Sequence, residues 1–423
     1  MNALQVLKDK LYIHTLPSYG NKIFYGLGFL TLTSLVLLVI TGLVLAFMGE
    51  SWWLGSPWGI YARSVHLWSV QAFIAFMILH MLVGFTTSGF KPPRRFVWVL
   101  GALIFCLALI QTEFGYGLRG DFSSQFRAVS GADFWNGAYL GWWLNPLNHA
   151  QAFALHVAII PLVILVLFFI HYLLERTYGI AKPYRSDVSY RMVAADHTVM
   201  YVRGVILAIA IVVLAYLFPS PYVPPLRIAD VARQDPALVA ATLGAEYDRS
   251  SDTATYLDSI NPYSYDTQQV YVFVPYTMIV GGTATDSSAM IQALMPAVQS
   301  GLYESVVSGE DPAANDTYTL RLLNDMGALE AKAGTLNFAT EQWGMAKDEN
   351  GHLAAFPPGS WWFMPLALLN SAFDLPNNDN GDRIAAEALG LIMLLLITFP
   401  YIPYLNRLPE LLHLAPLIWR EPR

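Results

Sequence analysis

Six stretches of the chain are almost free of polar positions, near residues 24–48, 65–87, 96–112, 153–174, 203–218 and 386–405. Most are about 20 residues long, enough for a helix rising about 1.5 Å per residue to cross a hydrocarbon core about 30 Å thick. Helices satisfy their backbone hydrogen bonds internally, so the pattern predicts six membrane-spanning helices. Between the fifth and sixth runs the pattern changes. Stretches at 228–244, 287–303 and 318–332 have helical spacing of apolar residues, 270–280 (VYVFVPYTMIV) is strand-like, and 250–266 and 307–317 are turn-rich. This segment is expected to fold as an inserted mixed α/β domain. Residues 3–12 (ALQVLKDKLY) and 406–420 have the composition of short amphipathic segments lying on a membrane surface, or of plain connectors. No short apolar stretch with a small-residue cleavage site precedes the first run, so the N-terminus is expected to be mature.

Composition agrees with the pattern. Of 423 residues 55% are hydrophobic and 13% charged, which excludes an ordinary soluble protein, and the net charge of −7 gives no footprint for nucleic acid. The one cysteine, Cys106, lies inside the third run and can form neither an internal disulfide nor a thiolate metal site.

Charge sets the expected orientation. Lys8, Lys10 and Lys22, then Lys91, Arg94 and Arg95, then Arg176, Lys182, Arg185, Arg191 and Arg203, and finally Arg407, Arg420 and Arg423 are 14 of the 24 basic residues. The positive-inside rule puts all four groups, with both termini, in the cytoplasm of a prokaryotic cell bounded by this membrane. Residues 220–360 then face outward; they hold 6 Lys and Arg against 17 Asp and Glu, a net of −11. Such acidity suits a basic soluble partner, although a solvated acidic face is the commoner cause. The insertion has no internal repeat, one histidine (His352) and no cysteine, which argues against a heme c or iron–sulfur centre within it. Trp52, Trp53, Trp58, Trp142, Trp143, Trp361 and Trp362 fall on the outer side, where tryptophans anchor helices at the interface.

Two of the apolar runs carry paired histidines: His66 and His80, fourteen apart, and His156 and His171, fifteen apart. On a helix these separations are roughly 21 and 22 Å, with each pair within about 60° of one face. Two facing helices of this kind close two axial sites, one near each membrane surface, in which neutral imidazoles bind a heme iron from both sides. Ionisable residues inside spans are costly, and a lone membrane histidine often does no more than bond to a neighbouring helix; matched pairs demand a function. Gly28 and Gly42 in the first run, and Gly101 and Gly115 in the third, are also fourteen apart, and missing side chains at two levels would let a macrocycle approach the backbone. His14, His149, His197, His352 and His413 lie in or near polar segments and are expected to be structural.

These residues resemble a known family. RSVHLWSVQAFIAFMILHMLVGFTTSGFKPPRRFVWVLGA (63–102) is similar to the second helix and following loop of cytochrome b from quinol-oxidising bc and bf complexes, the bf type above all. IFYGLGFLTLTSLVLLVITG (23–42), FGYGL (114–118) and LHVAIIPLVILVLFFIHYLLERTYG (155–179) extend the likeness over most of residues 20–218. The resemblance implies two hemes b, an outer one on His66 and His156 and an inner one on His80 and His171. It also implies that Arg63, Lys91, Arg94 and Arg95 neutralise heme propionates, with membrane anchoring as their plainer role. The bf cysteine for an extra covalent heme is replaced by Gly26, so that heme is not expected.

The second half departs further. PGSWWFMPLALLNS (358–371) is similar to the family's Pro-Glu-Trp-Tyr-Phe-Leu-Pro stretch, with Trp361, Trp362, Phe363 and Pro365 in matching places, but Ser360 stands where the family has glutamate. A serine hydroxyl is a poor proton acceptor for quinol oxidation. After FGYGL the family's Pro-Trp is replaced by Arg119-Gly120-Asp121. Asp121, Asp133, His149, Glu341 and His352 are the candidates for a substitute base. Asp196 and His197 resemble in position the acidic residue of the inner quinone site, or else cap the fifth helix and touch lipid headgroups. The chain ends after the sixth run, short of the last helix of the bf-type second half.

The expected architecture is therefore an all-α polytopic membrane protein: a four-helix heme-binding bundle, two further transmembrane helices and the inserted extracytoplasmic domain. The segments are an N-terminal piece (1–22), the diheme bundle (23–185), a fifth helix (186–225), the insertion (226–356), a quinol-site-like segment with the sixth helix (357–405) and a cytoplasmic tail (406–423). The resemblance implies an electron-transfer subunit exchanging electrons with a quinone pool. It also implies partners at the outer surface, a Rieske-type or other iron–sulfur protein and a c-type cytochrome, in a multi-subunit complex for which a dimer is one option. One rival is a non-catalytic transmembrane conduit that has lost the outer quinol site. Another is the four-histidine anchor of a dehydrogenase or nitrate reductase, which usually lacks the Arg-Ser-Val-His start and the paired glycines.

Overall fold

The computed structural model describes residues 14–181, 191–259, 265–282, 286–310, 317–338, 359–375, 378 and 380–414. Among these, six helices are long and apolar enough to cross a membrane: Leu27–Met48, Pro57–Thr86, Arg95–Gly117, His149–Tyr178, His197–Leu217 and Gly381–Tyr401, spans one to six. All six runs of the hydropathy pattern are helices. The amphipathic segment expected at 3–12 lies outside the described residues, and of 406–420 only turns at Leu405–Arg407 and Leu408–Leu411 are described.

The chain divides into two compact units, Met1–Gln111 with Val157–Ser220 and Gly390–Arg423, and Thr112–His156 with Pro221–Leu389. In the first unit, spans one, two and five pack together. Val65, Trp68, Ile211 and Ala215 form a buried cluster between spans two and five. The exit of span five is tied to span two by hydrogen bonds from Trp68 Nε1 to the Phe218 carbonyl (2.9 Å) and from the Ser220 amide to Ser64 Oγ (2.8 Å). Span one shows how a membrane helix inverts the usual pattern: Ser34 is buried, while Val36, Ile40, Val44 and Phe47, at helical spacing, are exposed. That face suits lipid, since an apolar solvent rewards apolar side chains outward. A two-stranded antiparallel ribbon that hydropathy gave no sign of pairs Thr15–Pro17 with Met192–Ala194.

Span four is not regular. Leu155–Ile159 widens into a π turn just before Pro161. Proline has no N–H for the carbonyl four residues back and its ring crowds that carbonyl, and a one-turn π widening relieves both. The same device recurs in the second unit, where Gln269–Phe273 is a π turn ahead of Pro275. Here the carbonyl that Pro275 leaves without a helical partner, that of Tyr271, accepts from Tyr303 Oη at 2.9 Å.

This recurrence overturns one expectation. The run 270–280 is helix, not strand, and among its described residues the insertion is helical throughout, through Ile228–Gln234, Pro236–Tyr247, Asp252–Ser259, Gln269–Ile279, Ser287–Ser300, Leu302–Gly309, Thr317–Asp325 and Ala328–Thr335. A short run of β-branched and aromatic residues suits either state, and burial of Tyr271 and Val272 within a helical core decides for helix. That core also takes in Phe122, Ala128, Val129 and Ala132 from the helix Phe122–Gly137, so the second unit is larger than the inserted segment.

Candidate functional site

Each of the four glycines expected to line a heme lies against one of the four paired histidines. A Cβ built on Gly28 would stand 3.3 Å from His80 Cε1, on Gly42 3.2 Å from His66 Cε1, on Gly101 3.2 Å from His171 Cε1, and on Gly115 2.5 Å from His156 Cε1. The fourteen-residue glycine spacing therefore matches the histidine spacing because span one backs span two, and span three backs span four, at both levels. The glycines make room for the imidazoles themselves.

Within the first unit, the His80 and His171 rings have centroids 6.5 Å apart at 74°. That separation leaves room for a single metal ion bonded to both rings, metal–imidazole bonds being about 2 Å. A carbonyl only accepts, so His171 Nδ1–H donates to the Val97 carbonyl (2.9 Å), which leaves Nε2 with its lone pair free to ligate. His66 is prepared in the same way. Thr41 Oγ1 donates to the Leu37 carbonyl (2.7 Å), so its 2.9 Å contact with His66 Nδ1 is one in which the imidazole N–H donates. His156, in the second unit, sits within the π turn of span four. That turn absorbs one residue, so the fifteen-residue separation from His171 turns through nearly the same angle as the fourteen of His66 and His80. The donor set fits bis-histidine heme: four imidazoles with no side chain behind them, His66 and His171 oriented through Nδ1. Thr41 and Val97 were not among the sequence candidates. Thr41 precedes Gly42 and Val97 lies one turn before Gly101, but neither carried a signal of its own.

The basic residues expected near propionates have protein partners. Arg63 is buried, donates to the Ser220 carbonyl (3.4 Å) and lies over the Trp53 ring (5.8 Å). Arg94 donates to the carbonyls of Gly89 and Gly179 and pairs with Glu175; Arg95 lies over Tyr401 (5.3 Å) and Lys91 pairs with Glu410. At the start of span five Asp196 accepts from the Val199 amide (2.9 Å) as an N-cap, and the His197 ring lies 6.5 Å from that of Tyr201.

The quinol-site-like stretch lies in the second unit. Ser360 is fully buried, and its Oγ accepts from Arg127 Nη2 at 2.5 Å. Arg127 also lies 4.5 Å from the centroid of Tyr116. Trp362, buried, donates Nε1–H to Thr112 Oγ1 (3.1 Å), and its ring lies 6.5 Å from Tyr116 and 5.7 Å from Trp361. Phe363 is tilted against Trp362 at 6.3 Å, and Pro365 lies in the first turn of the helix Met364–Ala372. The end of span three, the helix Phe122–Gly137 and residues 360–363 thus meet around Tyr116.

Of the candidate substitute bases, Asp121 is buried, caps Phe122–Gly137 and pairs with Arg119 at 2.9 Å. Asp133 pairs with Arg321 at 2.9 Å. His149 opens span four behind its cap Asn148. Glu341 and His352 lie outside the described residues. Glu113, not considered from sequence, lies against the helix Phe122–Gly137: its Oε1 would be 2.5 Å from a Cβ on Gly131. An acid within the last turns of a membrane-spanning helix was a visible signal.

A family model described as cytochrome b (N-terminal)/b6/petB matches residues 71–225, a stretch containing His80, His156 and His171. Cytochrome b6 of Heliomicrobium gestii is 31% identical over 196 residues, 40% of this chain and 90% of that protein. Cytochrome b6 of Pyropia yezoensis is 27% identical over 202 residues, 43% of this chain and 94% of that one. Among solved structures, a chain of a hyperthermophilic respiratory Complex III is 18% identical with a TM-score of 0.42, covering 72% of this chain and 95% of the other. With its paired histidines in apolar helices and a near full-length match to a cytochrome b6, the chain belongs to the cytochrome b family of bc and bf complexes.

Proposed function

We propose that the chain is the diheme subunit of a quinol-oxidising complex in a prokaryotic cytoplasmic membrane, with His80 and His171 holding the inner heme b and His66 and His156 the outer. The observation that carries this reading is the facing pair His80 and His171, 6.5 Å apart, each backed by a glycine. Bound heme supplies one-electron transfer between ferric and ferrous iron. The protein's part is to present neutral imidazoles in one tautomer, through the Val97 carbonyl and Thr41, so that ligation needs no reorganisation.

Both termini face the cytoplasm and the acidic insertion faces outward, where a Rieske-type or other iron–sulfur protein and a c-type cytochrome take electrons. Asp196 and His197 line an inner quinone site; the carboxylate's tie to the Val199 amide holds it at the mouth of span five, one turn from Met200. Trp361, Trp362, Phe363 and Pro365 form the wall of an outer quinol site.

Redox difference spectra test the heme assignment: two low-spin b hemes per chain are expected, and His80→Ala should remove one, leaving half the b-heme signal. Loss of both, or a different heme count in the parent protein, would overturn the pairing. One observation favours a second reading, a conduit without quinol oxidation: Arg127 already occupies the Ser360 hydroxyl. Reduction of the hemes by quinol that continues when an outer-site inhibitor is bound would favour the conduit.

A further inference from the structure

Within the second unit, a strip of the helix Phe122–Gly137 faces the end of span three. Arg127 and Gly131 are one turn apart on it. Arg127 meets Tyr116 and Ser360, and Gly131 meets Glu113. Thr112 and Tyr116, likewise one turn apart, both contact Trp362, through a hydrogen bond and through the ring. Glu113 lies about 60° around the helix from Tyr116, at 100° per residue, on the neighbouring strip of span three. Gly131 has no side chain, and the carboxylate fills the space that a Cβ would take, with Pro146 Cγ 3.1 Å from that same Cβ position. An acid in an apolar span is costly unless it serves a purpose.

We infer that Glu113 is the proton acceptor of the outer quinol site, a carboxylate supplied from span three in place of the one that Ser360 replaces, and that Gly131 positions it. The inference rests on the quinol-oxidising reading above. In the reaction the two quinol O–H bonds break. One electron goes to the oxidised outer heme b, and one to an oxidised one-electron metal centre of a partner protein. One proton goes to the Glu113 carboxylate, which later releases it outward, and the other goes to water at the outer surface. A carboxylate accepts such a proton where a serine hydroxyl does not. Arg127, cationic at every working pH, holds Ser360 and the Tyr116 ring and accepts nothing.

The test uses the purified holocomplex with duroquinol as reductant. Glu113→Gln should slow heme b reduction at least tenfold and abolish the rise in rate with pH that a titrating base gives, while the heme spectrum stays unchanged. Glu113→Asp should restore part of the rate. Gly131→Ala, which displaces the carboxylate without altering it, should slow reduction several-fold. In a redox-induced infrared difference spectrum, a carboxyl C=O band present in the parent protein should be missing in Glu113→Gln. If Glu113→Gln and Gly131→Ala both keep the parent rate, pH profile and band, Glu113 is not the acceptor and the quinol-oxidising reading stands. If duroquinol does not reduce the parent complex, that reading fails and the inference falls with it.

Discussion

Four imidazoles in this chain are held by very small neighbours, and the tolerance differs among them. A methyl group at Gly28 would sit 3.3 Å from His80 Cε1, which a shift of a few tenths of an ångström relieves; at Gly115 it would sit 2.5 Å from His156 Cε1 and 3.0 Å from Nδ1. Gly115→Ala is therefore expected to displace a ligand and halve the b-heme signal, whereas Gly28→Ala should keep both hemes. Equal heme content in the two variants, read from dithionite difference spectra, would count against glycine as the backing of each ligand. At this scale much was legible. Histidine type, spacing and the matched glycines stand in the sequence because helical geometry converts separation along the chain directly into position. The hydrogen bonds that orient the rings were not legible, since Thr41 and the Val97 carbonyl matter only through which helix lies beside them.

Among the elements, span four shows how local chemistry adjusts a register. His156 and His171 are fifteen residues apart and His66 and His80 fourteen, a mismatch of about 100° on regular helices. The π turn Leu155–Ile159 takes up the extra residue, and Pro161 explains why it forms there. Pro161→Ala should let the turn relax to α-helix, swing His156 away from its direction and remove about half of the b-heme signal. Two hemes with unaltered spectra would show that the widening does not depend on the proline. The proline was in plain view in the sequence, but whether it kinks, ends or widens a helix depends on what surrounds it. The run 270–280 makes the same point from the other side. Its composition suited a strand, and packing around Tyr271 and Val272, with Tyr303 serving the Tyr271 carbonyl, made it a helix.

For the molecule as a whole, the acidic segment between spans five and six holds its own titration. Glu246 is fully buried, its Oε2 accepting from Ser251 Oγ (2.7 Å), while Asp325 Oδ1 accepts from Thr253 Oγ1 (2.9 Å). Burial, reinforced by the Asp325 carboxyl beside it, raises the Glu246 carboxyl far above the usual carboxylate range, and burial raises Asp325 as well. An acid whose folded pKa is raised stabilises the fold fully below its unfolded value, about 4.3, and loses that contribution as pH climbs toward the folded one. This unit should therefore soften as pH rises from about 4 toward about 9. Glu246→Gln should flatten the dependence and gain on the order of 1 to 2 kcal/mol at pH 8. Hydrogen exchange in Pro236–Tyr247 and Thr317–Asp325 reads the effect; protection that falls equally with pH in parent and variant would sink it. Sequence by itself determined the six spans and the paired histidines with their glycines, because hydropathy and helical spacing act along the chain, and its motifs determined the family. Only the tertiary structure decided which groups orient those imidazoles, that Arg127 holds Ser360, that Glu113 lies against Gly131 and that two acids are buried together. Each of these depends on a contact between residues distant in sequence, and no local propensity encodes such a contact.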